Sequence, residues 1–297
     1  MPKPESHKKT LLADLGLFYA AAIWGSTFFI VKGALSDIDP VTMVGYRFTM
    51  AGLILLVFLL KSRRSVWQHL GKASFLSIIL WLLYIPQTVG LKYTTASNSG
   101  FITGLFVLFI PLFLKMVLKK TPSGIDLIAS AVSLAGLWIL TGGMSDVNPG
   151  DMLTLVAALT YALHVIYSDK YMKAGIDPYV FSCQQFLLVG ILSLITSVVL
   201  DLPFQVASSR AVWIVVFLAL FPTLSAFLIQ MIAQKITAPV KVSLIFALEP
   251  VFAAVFAWTV GGEELIIRRA LGGLLIVAAL VISSFSGKSP HKKAIEP

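Results

Sequence analysis

Residues 246–255 read FALEPVFAAV, which sets a carboxylate, Glu249, directly before Pro250 inside an apolar run. Burying a comparable Asp at the centre of a bilayer costs roughly 2.5–3.5 kcal/mol on insertion scales, so such a group needs a partner, a proton or a water-filled cavity. Two roles are open to Glu249: lining a transport cavity, or fixing helix packing through a hydrogen bond. Pro250 has no N–H and its ring crowds the Phe246 carbonyl, which predicts a kink with a free acceptor beside the acid. Arg47 lies about seven residues, or roughly 10 Å, into a second apolar run. It can reach inward to a substrate carboxylate, snorkel to the interface or form a structural ion pair. His164 stands one helical turn from Tyr161 and from Tyr167, a polar-aromatic stripe fit for a proton relay or for a buried hydrogen bond. Trp24 and Phe28, also a turn apart, suit either a cavity wall or packing. The amides of Gln87, Asn98, Gln184 and Gln230 can orient a polar metabolite or hold helix pairs together.

What must position these groups is a membrane bundle. Of the 297 residues, 58% are hydrophobic and 12% charged, with a mean hydropathy of +0.90; soluble domains carry about 25% charged residues. Ten apolar segments have roughly the 17–25 residues that a crossing helix needs: 14–36, 41–60, 72–91, 97–118, 124–141, 150–168, 178–200, 211–232, 239–260 and 266–286. Leu11 to Leu35 is too long for the apolar core of a signal peptide and lacks a small-residue cleavage site. The ends, 1–10 and 288–297, read as short tails. With ten spans, seventeen Lys and Arg fall on the side of the two tails. Only Lys32, Lys92, Arg210, Arg268 and Arg269 fall opposite, which puts both termini in the cytoplasm. This asymmetry accounts for the net charge of +9, and no aromatic-interleaved basic patch points to nucleic acid. Cys183 is the single cysteine, so an internal disulfide is excluded and a small packed side chain is expected.

The chain also repeats itself. ADLGLFYAAAIWGS from Ala13 matches GDMLTLVAALTYAL from Gly150, pairing Asp14 with Asp151 and Trp24 with Tyr161. IDPVTMVGYRFTMAGL matches IDPYVFSCQQFLLVGI, pairing Asp39-Pro40 with Asp177-Pro178, Arg47 with Gln185 and Gly52 with Gly190. Lys92 and Thr94 then meet Lys235 and Thr237, and after a gap Pro111 meets Pro250. Pro111 is thus expected to kink the fourth span without an acid beside it. Five helices per half is an odd number, so the halves must have opposite orientations. Inverted repeats of this kind mark secondary transporters, whose substrate site lies near the midplane between the repeats.

WGSTFFIVKGAL, YRFTMAGL, GLKYTTASNSGFITGLFVLFIPLF and SLIFALEPVFAAVFAWTVGGEELIIRRALGGLLIVAALV together resemble the paired EamA-type domains of the drug/metabolite transporter superfamily. The resemblance spans nearly the whole chain, and Glu249-Pro250-Val251 followed by Gly262-Glu263 is its most specific part. It implies a ten-helix, five-plus-five fold with cytoplasmic termini and transport of small metabolites such as amino acids. The second-half counterpart of Trp24-Gly25-Ser26 is Tyr161-Ala162-Leu163, so no role of that motif carries over there.

Other chemistry is excluded. H-E-x-x-H, G-x-S-x-G, Walker A and Cys/His metal spacings are all missing, so no catalytic residue, metal or cofactor is expected. The loops are too short for a nucleotide-binding domain, which leaves a proton, ion or solute gradient to drive uphill transport. Gly100 and Gly104 read as a close-packing pair, Asp39-Pro40 and Asp177-Pro178 as helix starts, and Glu263 and Glu264 as caps of the last helix. The expectation is an all-α integral membrane protein of ten helices in two inverted five-helix repeats, 11–143 and 150–287, in the plasma (inner) membrane. It would export amino acids or related metabolites by alternating access, with Glu249, Arg47, His164, Tyr161, Trp24, Gln87 and Gln230 contacting substrate or coupling ion and Pro111 and Pro250 kinking their helices. Drug-like, nucleotide-linked or sugar solutes, a passive channel and a lipid-handling enzyme are the alternatives. Nothing in the sequence specifies an oligomeric state.

Overall fold

A computed structural model describes residues 4–142, 148–259 and 265–284, and the described residues form helices without strands. In chain order these are α1 (Pro4–Ala34), α2 (Pro40–Lys61), α3 (Leu70–Gly90), α4 (Ala96–Gly104), α5 (Phe106–Leu118), α6 (Gly124–Thr141), α7 (Pro149–Lys173), α8 (Pro178–Val199), α9 (Ser209–Leu218), a π-helical segment (Ala219–Ser225), α10 (Ala226–Ala233), α11 (Pro239–Phe246), α12 (Glu249–Thr259) and α13 (Ile267–Ser284). Nine helical stretches among the described residues are long and apolar enough to cross a membrane: α4 and α5 together make one, α9 to α10 another, and α11 with the start of α12 another. The helices present large apolar side chains outward, Phe29, Val199 and Trp213 among them, as a lipid-facing surface requires. The chain is a multi-pass integral membrane protein.

Local chemistry sets the helix starts. The Asp39 carboxylate accepts the Val41 and Thr42 amides at 2.8 and 3.4 Å, and Asp177 accepts those of Tyr179 and Val180 at 2.8 and 3.3 Å. In both cases a proline occupies the first helical position, where no N–H is required. The α7 start is a capping box between Asn148 and Asp151. Glu263, Glu264 and the tail 288–297 lie outside the described residues.

Several expectations need correction. Hydropathy places the start of the first span near residue 14, yet α1 begins at Pro4, because the polar residues before the bilayer continue the same helix. The fourth span breaks at Leu105, not at Pro111, and α5 runs through Pro111. The break consists of tighter bonds, Leu105 N to Ile102 O and Leu108 N to Leu105 O, which reset the helix one to two turns before the proline. The ninth span breaks at Ala247–Leu248, where the Leu248 amide turns back to Ile245 O at 3.1 Å. A new helix then begins with Glu249, so Pro250 sits in its first turn and costs no hydrogen bond. The eighth span is interrupted by the π segment around Pro222, which the apolar pattern does not announce.

Packing between the halves is reciprocal. The most extensive contacts join α2 with α8, α6 with α13 and α3 with α7, followed by α3 with α8 and α1 with α10. A Cβ on Gly52 would meet Leu187, and one on Gly190 would meet Thr49. Thr49 and Leu187, like Gly52 and Gly190, stand 138 residues apart, so each contact joins one of these α2 positions to the repeat mate of the other. Gly90 against Gly150 and Gly136 against Gly272 bring the other facing helices equally close.

Candidate functional site

Helix breaks and close approaches converge near the middle of the bundle. Gly25 lets α1 touch the start of α12: a Cβ there would come within 2.5 Å of the Glu249 carbonyl oxygen and 3.0 Å of Phe252 Cβ. One residue away, Trp24 donates its indole Nε1–H to the Pro222 carbonyl at 2.7 Å, tying α1 to the π segment. Its ring meets Phe246 and Phe227 at centroid distances of 4.8 and 5.0 Å.

Beside this junction lies a cavity of about 30 Å³. On that measure a water needs about 10–15 Å³, so the cavity holds a few waters and no larger solute. Glu249, Tyr161 and Trp24 line its deep end with Phe227, and Arg47, Tyr84, Gln87 and Thr103 line its flank. Thr27 and Val31 on α1, and Thr88 and Leu91 on α3, carry the lining toward the face that bears the 35–39 and 91–95 loops. At that rim Lys32 Nζ donates to the Leu91 and Thr94 carbonyls, both at 2.6 Å, joining α1 to the end of α3.

Glu249 is 5% exposed and accepts the Tyr161 hydroxyl proton on Oε1 at 3.1 Å. The Tyr161 ring stacks on Phe106 at 4.4 Å, which fixes the hydroxyl's direction. Arg47 is 3% exposed, so it does not snorkel to an interface. Among the described residues it has no carboxylate within ion-pair distance. Its Nε–H donates to Thr223 Oγ1 at 2.9 Å, and its guanidinium lies 4.9 Å from the Tyr84 ring centre. Its Nη2 is buried with no partner among the described residues. Thr223 owes its position to the π segment, since its hydroxyl donates to Leu218 O, five residues back, at 2.7 Å.

The sequence-selected residues divide into two groups. Glu249, Arg47, Tyr161, Trp24 and Gln87 line this one cavity, with Gln87 donating to Thr103 Oγ1 at 2.9 Å. His164 and Gln230 do not. His164 Nε2 pairs with Gln185 Oε1 at 3.0 Å behind Phe227, and Gln230 of α10 donates at 3.0 Å to Oε1 of Gln234, the residue that caps the helix end. Gln184 holds the α2–α3 loop through the Val66 and Gln68 carbonyls, and Asn98 follows the Thr95 cap of α4. Pro250 sits in the first turn of α12, and Pro111 is buried in α5 away from the cavity lining. Tyr84, Thr103 and Thr223 were missed by sequence reading. Pro222, a proline inside an apolar span, was the available signal for the last.

The EamA-like transporter family model matches residues 11–142 and again 148–285. The chain belongs to that family. It is a membrane transporter of the EamA, or drug/metabolite, type. An uncharacterized transporter of Archaeoglobus fulgidus is 34% identical over 276 residues, covering 93% of this chain and 87% of that one. The uncharacterized inner membrane transporter YedA of Escherichia coli is 25% identical over 296 residues, covering 95% and 94%. A crystal structure with a TM-score of 0.79 and 20% identity covers 93% of this EamA-type chain and 99% of its own, and so shares the fold.

Proposed function

We propose that this EamA-type protein is a secondary transporter that exports amino acids or related dipolar metabolites by alternating access. The observation that carries this reading is that Arg47 and Glu249, opposite charges on different repeats, line one cavity without pairing to each other. A buried unpaired charge is expensive, and a solute bearing a carboxylate and an ammonium would relieve both at once. Tyr161, Gln87 and Thr103 offer further hydrogen bonds, while Trp24 and Phe227 supply apolar walls. When solute is absent, waters and a proton on Glu249 are the remaining means of relief.

The ten-span, inverted-repeat arrangement in the inner membrane, with both termini cytoplasmic, belongs to this proposal. Reciprocal Gly52–Leu187 and Gly190–Thr49 packing supports the repeat, and the Lys and Arg asymmetry supports the orientation. The described cavity leads toward the outer face on this reading. It is too small for an amino acid, so α1 and α3 must part to admit one. Counterflow in proteoliposomes tests the reading: vesicles loaded with unlabelled amino acids should take up the labelled counterpart saturably, above empty liposomes. Exchange of no dipolar solute by folded protein would reject it.

A further inference from the structure

The repeat pairing assigns to the residues that line the outer cavity a set of mates toward the N-terminal face. Repeat offsets fixed by the pairs Trp24/Tyr161, Asp39/Asp177 and Lys92/Lys235 convert lining residues of the cavity into a second set. Thr27 maps onto His164, Val31 onto Ser168, Arg47 onto Gln185, Gln87 onto Gln230 and Leu91 onto Gln234. All five of these mates are polar and essentially inaccessible, although they come from three helices of a membrane bundle. They occupy the halves of α7, α8 and α10 that lie toward the N-terminal face, beyond Phe227.

Their hydrogen bonding is incomplete. His164 Nδ1, Ser168 Oγ and Gln230 Oε1 are buried without a partner among the described residues, as is Ser182 Oγ nearby on α8. Each unmet group costs about 1–3 kcal/mol, and folded proteins keep few of them. The contacts that do form close the gap between helices: Gln234 Nε2 donates to Val165 O at 2.8 Å, joining α10 to α7. Val165 and Gln234 are the mates of Phe28 and Leu91, both of which line the outer cavity.

We infer that His164, Ser168, Gln185, Gln230 and Gln234 line a second vestibule of the same path. It is closed in this conformation and hydrated when the N-terminal half opens. The inference rests on the inverted-repeat, alternating-access reading above. It also assigns the two vestibules different chemistry: Arg47 faces the outer one, whereas its mate Gln185 leaves the inner one neutral.

Hydroxyl-radical footprinting of the wild-type chain in proteoliposomes tests this without knowledge of the substrate. Met231, the mate of the outer lining residue Thr88, and Met43 on α2 are both buried in this conformation, so the static structure alone protects them equally. The vestibule predicts several-fold greater oxidation of Met231, accompanied by modification of His164. A second arm places single cysteines, Gln230→Cys or Gln234→Cys on a Cys183→Ser background, and applies an impermeant maleimide to each face. Labelling from the N-terminal face is expected, with buried Ala162→Cys staying unreacted. Met231 oxidised no faster than Met43, or equal labelling of Gln234→Cys and Ala162→Cys, would overturn the inference, even if counterflow succeeded. Conversely, a reactive Met231 with no counterflow of dipolar solutes would uphold the vestibule and reject the substrate class.

Discussion

The Tyr161 hydroxyl donates to Glu249 Oε1 at 3.1 Å, linking the sixth and ninth spans at the point where the latter is broken. The contact lets the two roles of the acid be separated experimentally. Gln at 249 keeps an acceptor for Tyr161 and removes the charge. Glu249→Gln is therefore expected to keep the thermal midpoint within a few degrees and lower counterflow at least tenfold, about 1.4 kcal/mol in binding or barrier. Tyr161→Phe should lose about tenfold or more, since a hydrogen bond to a charged group contributes about 1.5–3 kcal/mol and the ring stacking remains. A transport-neutral Glu249→Gln would assign the acid to packing.

Arg47 is held by Thr223 and by the Tyr84 face. Arg47→Lys keeps the charge but gives up the planar fork, so half-saturation for carboxylate-bearing solutes should rise about tenfold. Thr223→Val removes only the hydroxyl that aims the guanidinium and should produce a smaller loss of the same kind. Saturation curves in counterflow check both.

Gly25 is expected to be among the least replaceable positions of α1. A methyl group there meets the Glu249 carbonyl and the α12 backbone, and overpacking costs about 1–3 kcal/mol. Gly25→Ala should lower the thermal midpoint and impair transport together. Gly71→Ala, where nothing lies within 4 Å of the added atom, should do neither.

At the rim opposite the N-terminus, Ser208 Oγ donates to Asp37 Oδ2 at 2.5 Å and the Ala207 amide donates to Asp37 O at 2.8 Å. Hydrogen bonds from Ser208 and then Ser36, with Arg210 nearby, hold the Asp37 carboxyl below the usual carboxylate range. A lowered pKa means that the tie is present above the unfolded value and is lost only as pH falls through the folded one. Amide protection at Ala207 should therefore be unchanged, after correction for intrinsic exchange, between pH 7 and pH 5. Asp37→Asn should reduce it at pH 7.

The helices were legible because the length of an apolar run translates directly into bilayer thickness. Their interruptions were not, since a tightened turn at Leu105 or Ala247–Leu248 and a π segment at Ala219–Ser225 leave hydropathy unchanged. Prolines marked each neighbourhood, but the chain adjusts upstream of the ring, so Pro111 and Pro250 lie past their breaks. Glu249 and Arg47 stood out because charge is costly in hydrocarbon. Tyr84, Thr103 and Thr223 did not, as hydroxyls and aromatics are ordinary in such helices. His164 and Gln230 gave as strong a signal as Gln87, and only packing shows that they pair with Gln185 and Gln234 instead of lining the described cavity.

The central claim is that one cavity reads both charges of a dipolar solute, and competition counterflow tests it most directly. An exchanging amino acid, its decarboxylated amine and its deaminated acid would compete in wild type, Arg47→Gln and Glu249→Gln. The account predicts that the amino acid wins by at least tenfold in wild type. Arg47→Gln should then bring the amine level with it, and Glu249→Gln should bring the acid level with it. Unchanged rankings in both variants, with exchange intact, would contradict the account.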